Sequence, residues 1–329
     1  MDIISFFVSA IRIGMAFLFG STGETITEKA GHLNLGIPGI MCVGAASGCV
    51  AEAIYTKAAI ANRDVIPAEY FENVSPVLAV LIPIVAAFLG AMLMGLIYSL
   101  LTVTLRANQN VTGLALTTFG IGLSDYLISM VKTSDYSYAT RFFTAHLPFA
   151  DNLGWFGKMF LSYGIMVYLA IIVALVSAFI LTKTKVGLYL RAVGENPATA
   201  DAAGINVTKY RYLATLIGSG IAGLGGMTYV FDTLNGNWEY VIDAVGWLSI
   251  ALVIFTVWKP NLGIFGSIIF GALFISSNFI GGVPTEYKAF LKMIPYVVTI
   301  LVLIITSIMD KKENQPPQGL GLNYYREDR

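Results

Sequence analysis

The sequence predicts an all-α, polytopic transmembrane helical bundle of about nine membrane segments (8–10), some of them discontinuous. Three observations lead there. The chain is 56% hydrophobic and only 12% charged, about half the roughly 25% charged content of an ordinary soluble domain. Its mean hydropathy is +0.73. Several runs reach the length of about 18 apolar residues that a bilayer core demands, and they are continuous, where a barrel would alternate with period two.

The apolar segments lie at about 3–22, 33–54, 75–101, 111–131, 159–182, 210–231, 244–258, 262–281 and 290–309. The first has Asp2 where a signal peptide carries basic residues and lacks a cleavage site, so it reads as a retained helix. The seventh and eighth are joined by a tight turn at 258–263, with Pro260 as the breaker. Basic residues set the orientation. Lys29, Arg106, Lys183, Lys185, Arg191, Lys209 and Lys259 fall on one side with the tail, outnumbering those opposite. That side is expected to be cytoplasmic, with the N-terminus outside. Residues 1–309 are expected to form one transmembrane domain, with a cytoplasmic segment at 183–209. The polar tail at 310–329, with Pro316 and Pro317, is expected to be partly disordered.

Several function classes are excluded early. Twenty Lys and Arg balance twenty Asp and Glu, so no basic surface is offered to nucleic acid. Cys42 and Cys49 lie seven residues apart on one helix, about 10 Å of rise and beyond disulfide reach. His32 and His146 have no companions at metal-ligand spacing. The sequence contains no P-loop, H-E-x-x-H or nucleophile motif. The chain is therefore expected to be no enzyme and to hold no cofactor.

The most informative stretch is RAVGENPATADAAGIN over 191–206. It is written like a short soluble helix stranded between apolar runs. Asn196 is a good N-cap, Pro197 suits the first helical position, and Ala198, Ala200 and Ala202 favour helix. Gly204 can take the left-handed position that ends it. So short a helix is unstable alone and must lie against something. A rigid peg in a membrane protein's loop suggests contact with a partner.

A second stretch, GETITEKAGHLNLGIPG over 23–39, links the first two apolar runs with glycines, a proline and a polar cluster. It reads as an inner loop or as a discontinuous helix lining an enclosed cavity. Gly218, Ala222 and Gly226 recur every four residues, the stripe of a close helix crossing. Arg12 and Asp125 are the charges placed clearly inside spans, and an Arg12–Asp125 pair is expected. Candidates for the wall of a polar path through the bundle are Asn34, Asn108, Asn110, Thr117 and Asn278, with Phe119 as an aromatic stacking surface.

These stretches carry a resemblance. Residues 24–39 are similar to the "GE…ER-x-G-x-x-N-x-G-x-x-G" signature of permeases of ATP-binding-cassette importers, in the nucleoside branch of the ribose/branched-chain amino acid superfamily. NVTGLA at 110–115, the 191–207 segment, AGLGG at 222–226 and GWLSIALVIF at 246–255 with WKP at 258–260 resemble further blocks in the same order. Lys29 stands for the usual Arg, Thr199 interrupts an Ala pair, Trp247 is larger than usual, and Thr256 or Val257 replaces a Gly.

The resemblance implies that 196–204 docks on a separate ATPase, with Arg191, Glu195, Asn196, Pro197, Ala198, Thr199, Ala200, Asp201 and Gly204 in the coupling surface. It implies a second permease chain, a heterodimer before a homodimer, and an extracellular substrate-binding lipoprotein. ATP and Mg would sit in the partner ATPase, and lipid would surround the bundle. Nucleosides are the favoured cargo; simple sugars or branched-chain amino acids are alternatives, and an ion-coupled secondary transporter is the reading from another class.

Overall fold

The computed structural model describes residues 3–60, 74–146, 150–238, 242–279, 285–309 and 315–325. All regular structure among them is helical. The long elements are α1 (Ile3–Lys29), α2 (Ile37–Ala59), α3 (Pro76–Ser99), α4 (Gln109–Ser129), α5 (Ile165–Lys183), α6 (Lys185–Glu195), α7 (Pro197–Ala202), α8 (Val207–Thr228), α9 (Ile242–Phe255), α10 (Pro260–Phe279) and α11 (Thr285–Met309). Short helical turns lie at 133–143 and 151–160.

Six of these, α1 to α5 and α8, are long and apolar enough to cross a bilayer. α9, α10 and α11 contribute shorter apolar stretches, Ala244–Phe255, Pro260–Ser276 and Met293–Ile305. The number nine is reached only by counting these three. α3 runs on as a π-turn over Leu100–Thr104, and α8 does the same over Tyr229–Thr233.

The centre of the bundle is α1, α2 and α8, with α3, α9 and α10 packed around them. Glycine makes this possible. A Cβ at Gly218 would meet the carbonyl oxygen of Gly23, one at Gly223 the carbonyl oxygen of Ala87, and one at Gly226 the backbone of Met41. Small residues let backbones approach where lipid supplies no hydrophobic drive between helices.

Local signals explain the breaks. Pro38 lies in the first turn of α2 and Pro76 opens α3. Asn108, Thr184, Asn196 and Asn206 cap α4, α6, α7 and α8 by accepting from Val111, Gly187, Thr199 and Lys209 N–H. Val257 and Trp258 both take φ of 55° in the turn that joins α9 to α10.

Two expectations are made more definite here. The 23–39 stretch is not mostly loop: α1 continues to Lys29 and the irregular part is 30–36. Its polar residues can remain helical because neighbouring helices bury and hydrogen-bond them. Within the tail, residues 315–325 pack back onto the bundle, as their hydrogen bonds below make clear.

Candidate functional site

One end of the bundle gathers the 30–36 connection, the start of α4, the 183–206 segment and the tail. Gly319 N–H donates to Gly194 O at 2.9 Å, Gly321 N–H to Gly31 O at 3.2 Å, and Asn323 Nδ2 to Arg106 O at 2.7 Å. These bonds bring Arg106, the end of α6 and the connection after Lys29 together at one end. The opposite end holds the Lys57–Asp135 ion pair, 2.9 Å apart.

At this end α7 has the geometry its sequence announces. Asn196 Oδ1 accepts from Thr199 N–H at 3.0 Å, and Pro197 stands in the first turn. Gly204 adopts φ of 82°, which closes the helix as Ile205 N–H reaches Ala200 O at 3.0 Å. Ala200 is the buried anchor, packed with Val193 and Val207. Glu195, Asn196, Thr199 and Gly204 are exposed, while Arg191, Pro197, Ala198 and Asp201 are half-buried. Asp201 and Glu195 are also engaged from within: Tyr324 OH donates to Asp201 Oδ2 at 2.8 Å, and Gln318 N–H to Glu195 Oε2 at 3.3 Å.

Beneath this surface the 30–36 connection is stitched to four helices. Glu24 Oε1 accepts from Asn34 N–H at 3.0 Å, Tyr98 OH donates to Leu33 O at 2.7 Å, and Gln109 Oε1 accepts from Leu33 N–H at 2.9 Å. Trp258 Nε1 donates to Glu28 Oε2. Thr215 Oγ1 donates to Arg211 O at 3.0 Å, so His32 Nδ1–H donates to Thr215 Oγ1 across 3.1 Å. Burial, and then the Arg211 guanidinium, holds the His32 imidazole well below its usual range and therefore neutral. Gly194 packs on the Lys29 carbonyl, which places the end of α6 directly against this connection.

The path candidates separate by what they touch. Asn34 Oδ1 accepts from Gly36 N–H at 2.9 Å, Asn108 is the cap of α4, and Thr117 Oγ1 donates to Leu35 O at 2.7 Å. These three have structural partners. Asn110 and Phe119 are both exposed, but nine residues apart they sit on opposite flanks of the exposed side of α4 that carries Val111, Leu114 and Tyr126. The side chain of Asn278 lies outside the described residues.

The expected Arg12–Asp125 pair is replaced by another. Arg12 Nε stands 3.0 Å from Asp232 Oδ2, and Arg12 Nη2 donates to the Asp232 carbonyl. Asp125 accepts instead from Trp238 Nε1 at 3.4 Å. Asp232 sits in the π-turn that prolongs α8, beyond the apolar run read from the sequence, so helix phase gave no hint of it. Sequence reading also missed the burial of Glu24, Glu28, Glu52 and Arg211. Glycine spacing was the available signal: Gly23 and Gly218 mark where α1 and α8 touch, next to Glu24.

Comparison with known proteins decides the family. The model for "Branched-chain amino acid transport system / permease component" matches residues 6–303. The chain belongs to this permease family. It is 33% identical over 316 residues to the nucleoside ABC transporter permease protein NupC of Lactococcus lactis subsp. cremoris, covering 94% of this chain and 93% of that protein. It is 28% identical to the guanosine ABC transporter permease protein NupQ of Bacillus subtilis, over 99% of this chain and 98% of that one. It is 30% identical to the putative glucose ABC transporter permease protein TsgC13 of Haloferax volcanii, over 80% of this chain and 74% of that one. No solved structure matches the chain. It is thus a multi-pass cell-membrane protein and a permease subunit of an ABC transporter, non-catalytic, since ATP hydrolysis belongs to a separate subunit.

Proposed function

We propose that this permease forms the translocation path of a nucleoside importer and is driven through α7. The observation that carries the reading is the capped, exposed α7, seated on Ala200 and joined through Gly194 to the 30–36 connection. The near full-length similarity to NupC and NupQ supports the substrate. Residues 1–309 are the transport domain, and 183–209 the coupling segment; the 310–329 tail braces that segment over 315–325.

ATP and Mg belong to the partner ATPase, whose groove receives the exposed Glu195, Asn196, Thr199 and Gly204. A second, different permease chain covers the open side of α4, where Phe119 offers a stacking ring to a nucleoside and Asn110, about 13.5 Å away along the helix, a separate polar group on the path. An extracellular substrate-binding lipoprotein delivers cargo at the opposite end. Movement of α6 and α7 reaches that path along a short chain of contacts, from Gly194 to the 30–36 connection and on to Thr117 through Leu35.

The similarity to TsgC13 favours one second reading, a sugar, whose hydroxyls ask for the same weak polar wall. Uptake of radiolabelled guanosine, uridine and glucose by cells expressing the chain with its operon partners separates the two. Nucleoside uptake that stops when ATP hydrolysis is blocked with the proton gradient intact is the expected result. Uptake that survives the block, or that is confined to glucose, overturns it.

A further inference from the structure

α4 crosses the membrane with one side uncovered, and Gly122 lies in the middle of that side, two turns from the end of the helix opposite α7. A Cβ placed on Gly122 would meet nothing within 4 Å. Residues three and four positions away in either direction share its face of the helix. Phe119 and Tyr126, three before and four after, are 54% and 60% exposed and flank it on one side. Thr118 and Asp125, four before and three after, flank it on the other. Gly122 is therefore the floor of a notch, with two rings along one wall and a hydroxyl and a carboxylate along the other. Thr118 Oγ1 donates to Leu114 O at 3.3 Å, which leaves its own oxygen able to accept. Asp125 stands inside a membrane-crossing helix and has no cation within ion-pair distance among the described residues. Its one hydrogen bond there comes from Trp238 Nε1, at 3.4 Å. A carboxylate within a span is costly unless donors meet it, and such a residue marks a transport path by default.

We propose, resting on the nucleoside-importer reading above, that this notch is where the cargo is recognised on its way through, with Phe119 and Tyr126 holding the base and Asp125 and Thr118 the ribose. The two rings are seven residues and about 10.5 Å apart along the helix. Open space at Gly122 separates them, so a flat base lies with an aromatic face on either side. The vicinal hydroxyls of ribose are two donors on one face of the sugar, and a carboxylate has two oxygens to receive them; acidic residues hold ribose in dinucleotide sites by the same chemistry. The missing Cβ lets the sugar–base joint approach the helix backbone. Gly122 and its four neighbours include no cation, so a phosphorylated nucleoside would set its phosphate against Asp125 uncompensated and is selected against. Beyond Phe119, toward the end that carries α7, the surface hollows into a cavity of about 380 Å³ edged by Val111 and Ala115, which gives the cargo a way onward.

The test places a thiol at the notch, Gly122→Cys, in the full transporter assembled with its operon partners in proteoliposomes. Cys42 and Cys49 are both buried, so a charged, membrane-impermeant thiosulfonate reports the new thiol. It should react, because the notch faces water and not lipid. With ATP present, guanosine or uridine should slow the labelling about tenfold, and guanosine monophosphate should not. Asp125→Ala, added to Gly122→Cys, should leave labelling without nucleoside unchanged and raise the nucleoside concentration needed for protection about tenfold or more. Tyr126→Phe should keep the protection and Tyr126→Ala weaken it, since the ring is what the base needs. A thiol that does not react, or that neither nucleoside protects, overturns the notch. So does protection undiminished by Asp125→Ala or, where that variant fails to assemble, by Tyr126→Ala. Nucleoside uptake by the unmutated transporter is measured alongside. Its absence sinks the nucleoside reading itself, whereas normal uptake beside an inert thiol sinks the notch alone.

Discussion

α8 and α3 lie side by side, and they are built for opposite surroundings. α8 keeps 83% of its membrane window inside the protein, whereas α3 keeps 28%. α3 presents Leu81, Val85, Leu89, Leu93 and Leu96 outward. α8 buries Thr215, Ser219 and a run of glycines. The lesson is that this protein is least greasy where it is most buried. Lipid tails satisfy leucine as well as a protein interior does, so the interior is left to close backbone approach and to hydrogen bonds.

That contrast can be broken most forcefully at a glycine. Gly223→Val on α8 would drive a side chain into the Ala87 carbonyl and the Ala91 methyl, and should cost on the order of 3 kcal/mol. Gly122→Val on the open face of α4 meets nothing within 4 Å and should stay within about 0.5 kcal/mol. Thermal melting of both in detergent checks the pair; equal losses would refute the contrast.

Next in size is Asp232→Ala, which strands Arg12. The expected cost is about 3 kcal/mol, at the low end for a buried pair because the Arg12 side chain is 31% exposed. Arg12→Met in the same chain should recover much of it, as a double-mutant cycle would reveal. Tyr324→Phe removes one hydrogen bond from the tail to Asp201, worth about 1 kcal/mol. Faster hydrogen exchange over 315–325, with the helices unchanged, is the expected signature.

The smallest effect is one of pH. His32 is held neutral in the folded protein, whereas the unfolded chain takes up a proton below about pH 6.5. Its contribution to stability is therefore full above that pH and declines as pH falls below it. The thermal midpoint between about pH 8 and pH 5 should drop less steeply in His32→Gln than in wild type.

The helical membrane fold was legible because long apolar runs leave no other solution. The cap, proline and glycine of α7 were legible too, since those signals act within a few residues. Long-range pairing was not. Arg12 finds Asp232 across 220 residues, and a π-turn shifts the phase on which any sequence-based guess depends. The tail shows the same limit: its prolines and polar residues read as disorder, but Gly319 and Gly321 let it lie close to Gly194 and Gly31. Glu24 and Glu28 looked like loop residues because nothing local shows that Asn34 and Trp258 will meet them.

The central claim is that α7 transmits the work of an ATPase to this path, and Ala200→Pro tests it most directly. The substitution removes the Ala200 N–H bond to Asn196 O within the short helix and leaves the membrane helices untouched. Co-purification of the ATPase and ATP-dependent nucleoside uptake are measured together, alongside the amount of chain in the membrane. The account predicts normal membrane levels with ATPase association and uptake both lost. Wild-type uptake by Ala200→Pro would contradict it.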